Sequence, residues 1–500
     1  MDIVVDAAGV RIAAPETLTS FSVLSSLSLA EVDAALRAVE LGHVHDGHAW
    51  ISADRLRERA AALVTAPDWH DQYGRMVDYA VSKGWWDDEQ RLIRAHVQSS
   101  AEYPFSARPA PEAVAQFHRV AADRPMTRVT MPFGGDVWVV HRNAAAREVL
   151  SDGRFVREPF RTGSRDVPYF VQFPAFLKST LQFEDPPHHT KLRRLVQRAI
   201  SPAAVKKMRD SAAAFADELL EAMAAKGNRA NLVTEYALAL PIQMLANLLG
   251  VPADDHEKFE RWASSTLAVA GAAPEDIARD MGELHAYLTA LIAARRIDPR
   301  EDLISSLARA QDADETLADE EILTIAMLLL VAGFDNTANF ITIGVSSLLH
   351  HPDQLAAFRE DPAGLAPTAV EEVLRHGRFS LGTPVAGIGG LVPFVATEAV
   401  EIDGVVIAEG EAVLVDPASV NHDGIALEHD DRLDITREQN THLTLSYGLH
   451  HCLGAPLARM EMQVALERLF TRFPHVALDG DPVVNENHLS RPIVELNVTW

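Results

Sequence analysis

The run Thr444-Leu-Ser-Tyr-Gly-Leu-His-His-Cys452-Leu-Gly-Ala-Pro-Leu-Ala-Arg459 holds the only cysteine among 500 residues. One cysteine makes no intramolecular disulfide and no four-thiolate zinc or iron–sulfur site. Taken alone, such a residue is a small buried hydrophobe. Its neighbours suit a second use, one thiolate offered to a haem iron. Gly448 and Gly454 flank it, so the backbone can turn tightly and approach a flat cofactor. From Ala455 onward Leu457, Met460, Val464, Leu466 and Leu469 recur at helical spacing, with Pro456 acceptable in a first turn. The thiol is therefore expected at a helix N-terminus, where the dipole and unpaired N–H groups would lower its pKa.

Three further runs carry polar groups at chemically useful spacing. Val331-Ala-Gly-Phe-Asp-Asn-Thr337 interrupts a long apolar helical pattern with glycine and a carboxylate. A buried acid is costly unless partnered, so Asp335 needs a reason to be there. Glu372-Val-Leu-Arg375 sets acid and base on one helix face, ordinarily a solvated surface bridge. Asp185-Pro-Pro-His-His-Thr-Lys-Leu-Arg-Arg194 opens a helix whose His189 and Arg193 share a face, ordinarily a plain basic helix start.

Together these runs resemble the cytochrome P450 superfamily, in its soluble, bacterial-type form. Gly448, His450, Cys452, Gly454 and Ala455–Arg459 fall on the family's haem-binding loop. The resemblance implies haem b (iron protoporphyrin IX) with Cys452 as its axial thiolate, pushing electron density onto iron. It implies that His189, Arg193 and His450 reach the haem propionates, arginine by its planar fork. It implies that Glu372, Arg375 and Arg437 form a buried ion network behind the cysteine loop. Ala332 and Gly333 match the kinked central helix, with Asp335, Asn336 and Thr337 as candidate catalytic residues. Three departures matter. Asn336 stands where the family's threonine is usual, and Thr337, one residue on, points about 100° away on a helix. Phe394 stands where a propionate-binding arginine is usual. Leu445 and Ser446 replace phenylalanine and glycine near the thiolate, which could alter the redox potential.

These groups must be held by a helix-rich scaffold. After the proline-rich stretch Tyr103-Pro-Phe-Ser-Ala-Arg-Pro-Ala-Pro111 the chain follows the family to its end. The expected fold is mainly α with small β-sheets, the family's triangular architecture, over residues 106–500. Thr127–Met131 and Asp136–Val140 read as a strand pair around Gly134-Gly135, and short strands return at 399–407 and 412–415. Residues 1–105 read as a small helical N-terminal extension of unknown role. A capping box Ser28-Leu-Ala-Glu31 opens a first helix, Ser52 caps a second, Tyr73 to Val81 marks a third and Asp87 or Asp88 starts a fourth. The cluster His43, His45, His48 reads as a solvated loop rather than a metal site, and Trp69, Tyr73, Tyr79, Trp85 and Trp86 as local core.

Charge narrows the partners. With 45 basic and 71 acidic residues the formal charge is −26, which disfavours nucleic acid and anionic membrane. The longest apolar run, Ile325–Ala332, is too short for a membrane span, and no signal peptide opens the chain. A soluble, cytoplasmic protein is expected. No Gly-x-Gly-x-x-Gly fingerprint follows a strand. Electrons are then expected ultimately from NAD(P)H through a ferredoxin and its reductase, with Arg193, Arg194 and the face around Arg459 receiving the acidic partner. The expected reaction inserts one oxygen atom from O2 into a small or medium apolar organic substrate. The alternatives are a peroxide-driven or reductive haem-thiolate enzyme and, more remotely, a non-catalytic haem-binding protein.

Overall fold

The computed structural model describes the chain apart from residues 103–123, 170–179, 268–273, 381–391, 424–431 and 486–491. Positions 7–8, 14, 16–17, 19–20, 26, 28, 65, 67, 100, 132 and 313–314 are likewise outside it. The proline-rich stretch, and with it the division near residue 105, lies outside the described residues.

The N-terminal unit corrects the expectation of a helical segment. It is built on a seven-stranded sheet ordered β2-β1-β3-β7-β5-β4, with β6 paired to β7. The strands are β1 (Asp2–Asp6), β2 (Gly9–Ala13), β3 (Ser22–Ser25), β4 (Gly42–His45), β5 (His48–Ser52), β6 (Trp86–Asp87) and β7 (Leu92–Ser99). Three of the expected helices are present: α1 (Leu29–Ala38), α2 (Ala53–Ala61), capped by Ser52, and α3 (Trp69–Ser82). The fourth is not. Asp87 ends β6, and Ile93, Ala95 and Val97 alternate into a buried face, the period of a strand. Ile3, Val5, Val23, Ala49 and Ile51 share that core with Val32, Leu36, Leu56, Trp69 and Tyr73. The expected aromatic core is split, because Tyr79 and Trp85 are exposed.

The histidine cluster is also not a loop. His43 and His45 lie on β4 and His48 on β5, joined by Asp46 and Gly47 at φ 49° and 73°. Two consecutive positive φ values make the tight hairpin turn whose twist suits paired strands.

Beyond residue 124 the body is mainly helical. Its six-stranded sheet runs β11 (Phe155–Val156), Phe394–Ala396, Ala412–Val415, β10 (Gly135–Val140), β9 (Met126–Met131) and β8 (Ala101–Glu102). β8 pairs in parallel with β9, so the chain leaving the N-terminal sheet enters the second sheet directly. Asp319–Gly333 and Asp335–His350 form the central helices, broken at Phe334, and the second is buried continuously from Thr337 to Leu348. By length and composition these 32 residues could cross a membrane, a longer stretch than the apolar run alone indicates. Here they are the core of a helical body, packed with Pro362–Ser380 and Ala455–Arg472 in one continuous cluster.

Candidate active site

Ala455–Arg472 is the helix that the spacing after Cys452 predicts, with Pro456 in its first turn. The loop before it is pinned by backbone. Cys452 N–H donates to Leu445 O at 2.7 Å. Gly448 takes φ 63°, and a Cβ there would lie 2.4 Å from Leu150 O, so only glycine fits. Ser446, at the family's glycine position, holds φ 61° and tolerates a left-handed backbone at a cost of roughly 1–2 kcal/mol. Against the expectation from the helix dipole, burial pushes the Cys452 thiol up. The N–H groups of Gly454 and Ala455 and the charges of Arg193 and Arg459 oppose this without overcoming it.

Cys452 lies on one wall of a cavity of about 290 Å3. Ala332, Gly333, Asn336 and Thr337 of the central helices line it, as do His189, Arg193, His450 and Gly454. Leu245, Leu248, Leu328, Leu329 and Val392 are part of its apolar lining. A Cβ on Gly333 or Gly454 would meet no protein atom within 4 Å, so both leave backbone open toward that space. The fold thus brings together polar groups from three distant stretches of chain.

The polar atoms around the cavity are unevenly satisfied. His189 and His450 are ring neighbours at 4.7 Å, and His189 Nδ1 and His450 Nε2 are buried with no hydrogen-bond partner among the described residues. Burial, then the charges of Arg193 and Arg157, pull His189 down to about 4. His450 is lowered further, by burial first and then by Arg157, His189 and Arg193. Both rings are therefore neutral near pH 7. Arg193 Nη2 donates to His451 O at 2.6 Å, turning inward rather than toward a surface partner. Unpartnered buried donors beside a cation fit the two carboxylates of a haem, and Cys452 fits its iron.

Behind the loop the charged groups are paired, although Asn440 Oδ1 and His442 Nδ1 are buried with no partner among the described residues. Arg375 donates from Nε and Nη2 to the two oxygens of Glu372 at 2.8 and 2.7 Å, both side chains being wholly buried. Arg437 Nε reaches Glu372 Oε2 at 3.2 Å, and Asn440 Nδ2 reaches it at 3.0 Å. Two further links are not evident from the sequence pattern. Asn421 Oδ1 accepts Leu443 N–H at 2.7 Å, while its Nδ2 donates to Thr444 Oγ1. Arg459 grips Glu371 with two hydrogen bonds, and His442 Nε2 lies 3.0 Å from the same carboxylate. Arg459 is thus paired with Glu371 while its side chain stays 30% exposed, and of the three arginines Arg194 is the most exposed.

At the helix break Thr337 Oγ1 donates to Gly333 O at 2.9 Å and Asn336 Nδ2 to Ala332 O at 3.2 Å. The two side chains cap the last carbonyls of the first helix. Asp335 Oδ1 accepts from Asn339 Nδ2 at 3.5 Å. Although Asn336 and Thr337 are successive helix residues, both line the cavity.

The match to known proteins follows this geometry. A family model described as Cytochrome P450 matches residues 265–363 and 384–499. Mycinamicin IV hydroxylase/epoxidase of Micromonospora griseorubida is 38% identical over 402 residues, 80% of this chain and 98% of that protein. Nocardicin C N-oxygenase of Nocardia uniformis subsp. tsuyamanensis is also 38% identical, over 80% of this chain and 98% of its own length. Among solved structures, that of the mixed-function P450 MycG superposes with a TM-score of 0.73 at 37% identity, covering 80% of this chain and all of that one. Each of the two relatives and the solved structure leaves about a fifth of this chain uncovered. With the fold, the cysteine loop and the relatives in agreement, the chain belongs to the cytochrome P450 family of haem monooxygenases.

Proposed function

We propose that residues 106–500 form a haem-thiolate monooxygenase domain that places one oxygen atom from O2 into a small or medium apolar organic substrate. Residues 1–105 are an N-terminal addition outside that chemistry, and no described residue lining the cavity precedes Leu150. Haem, when bound, supplies oxygen activation through electrons arriving from outside the chain. The observation that carries the reading is one thiol lining an apolar cavity together with the polar break between two apolar helices. Cys452 supplies the ligand, and His189, Arg193 and His450 hold the propionates. Leucine side chains exclude water and select apolar substrates. The relatives' printed activities on mycinamicin IV and nocardicin C support organic metabolites as the substrate class. Electrons come ultimately from NAD(P)H through a ferredoxin and its reductase, in the cytoplasm.

Asp335 governs proton entry, whereas Asn336 orients water or a polar group of the substrate. An amide donates hydrogen bonds but is no useful proton-transfer acid near neutral pH. Asp335→Asn should slow turnover by roughly 10²–10⁴-fold, measured as product formed with surrogate ferredoxin. Asn336 also favours a second reading, peroxide-driven or reductive use of the same cofactor. Turnover with peroxide alone would support it; substrate-dependent NAD(P)H consumption supports the first.

The decisive test of the ligand is spectroscopic. The reduced, carbon-monoxide-bound protein should show the red-shifted band of thiolate-ligated haem, and Cys452→Ser should abolish it. A surviving band would refute the assignment, since the chain has no second cysteine.

A further inference from the structure

The site lacks the arginine usual at position 394, yet a guanidinium stands beside that position from another strand. Phe155 pairs with Ala396 and Val156 with Val395 in an antiparallel ladder. One step further in the same register, Arg157 faces Phe394, at the spacing where opposite side chains touch. The Arg157 Cζ lies 4.3 Å from the Phe394 ring centroid, a cation–π contact, and the same ring is 5.8 Å from that of His450.

Arg157 is 4% exposed and lines the cavity. Its Nη1 donates to Gln182 O at 2.7 Å, while Nε is buried without a hydrogen-bond partner among the described residues. The nearby carboxylate is otherwise engaged. Asp185 Oδ2 accepts the backbone N–H groups of Arg157 and Glu158 at 2.9 and 2.7 Å, fixing the chain at the end of the strand. Burial, opposed by the Asp185 charge, lowers Arg157 to about 10, so it remains a cation near pH 7. A buried cation with an unused donor, beside two histidines with unused nitrogens, calls for an anion.

We infer that Arg157 binds a haem propionate, supplying from the neighbouring strand the guanidinium that position 394 lacks. The assignment rests on the haem reading above. A substrate carboxylate offers the same chemistry, but the convergence with His189 and His450 favours the propionate.

The test follows haem transfer from the holoenzyme to excess apomyoglobin. Arg157→Gln should lose haem about 10–100-fold faster, the scale of one charged hydrogen bond, while keeping the thiolate carbonyl band. Arg157→Lys should fall between the two. Phe394→Arg placed on Arg157→Gln should restore most of the retention. The parent should also prefer haem to its dimethyl ester, and both Arg157 variants should narrow that preference. If Arg157→Gln yields no folded holoprotein, the ester comparison in Arg157→Lys decides. Haem loss within twofold of the parent, or an unchanged ester preference, would overturn the assignment. So would unchanged haem loss combined with weakened binding of carboxylate-bearing substrates. A parent without the thiolate band would instead overturn the functional reading itself.

Discussion

Behind the cysteine loop, Glu372 accepts from Arg375, Arg437, Asn440 and the backbone of Asp434. In front of it His189 and Arg157 are buried and His450 half-buried, and each keeps a buried nitrogen without a partner among the described residues. Behind the loop only Asn440 Oδ1 and His442 Nδ1 are left so. The first group needs nothing from outside to offset the cost of burying its charges. On the proposed reading, the propionates of the haem complete the second. The difference distinguishes residues that support the loop from those proposed to hold the cofactor, although both sets are polar and largely shielded from solvent.

Substitutions should act oppositely on the two sides. Glu372→Ala leaves two arginines short of their carboxylate and should cost about 3–5 kcal/mol, read from urea unfolding with and without haem. Equal loss in both forms is expected; a loss confined to the haem-loaded form would erase the distinction. His189→Leu removes an unsatisfied nitrogen. It should leave haem-free stability unchanged or higher while speeding haem loss about tenfold. A clear fall in haem-free stability would place His189 with the supporting set.

Glu371 gives the gentlest test. Burial works to raise its carboxyl, but hydrogen bonds from His442 and Arg459 and their charges outweigh burial and hold it at about 2. The unfolded chain takes up this proton at higher pH than the folded one. The stabilisation is therefore complete above about pH 4.5 and is lost as pH falls toward 2. Glu371→Gln should flatten that part of the acid-unfolding profile, followed by circular dichroism. An unaltered slope would show that the ion cluster gives the loop no measurable support.

Much of the site could be read from local chemistry. Cys452 with its glycines, the Asp185–Arg194 run and the Glu372–Arg375 pair carry their meaning within a few residues. Arg157 could not be found that way, because its role depends on a strand register linking positions far apart in sequence. Nor could the committed partners of Arg193 and Arg459, which are set by packing. The N-terminal sheet is hard to read from sequence for another reason. Apart from β7 its strands are no longer than five residues and carry serine, aspartate and histidine, and the Asp46-Gly47 turn signal sits inside a conspicuous histidine run.

The short strand Ala101–Glu102 has a consequence of its own. It covers the outer edge of Met126–Met131, pairing at Val129 and Thr130. A two-residue edge offers little template for another chain, whereas the six-residue strand behind it, with Thr127, Val129 and Met131 buried, would offer a long one. Trimming the chain to its catalytic body would strip this cover. The shortened protein would then be prone to self-association through that strand even with its haem pocket intact.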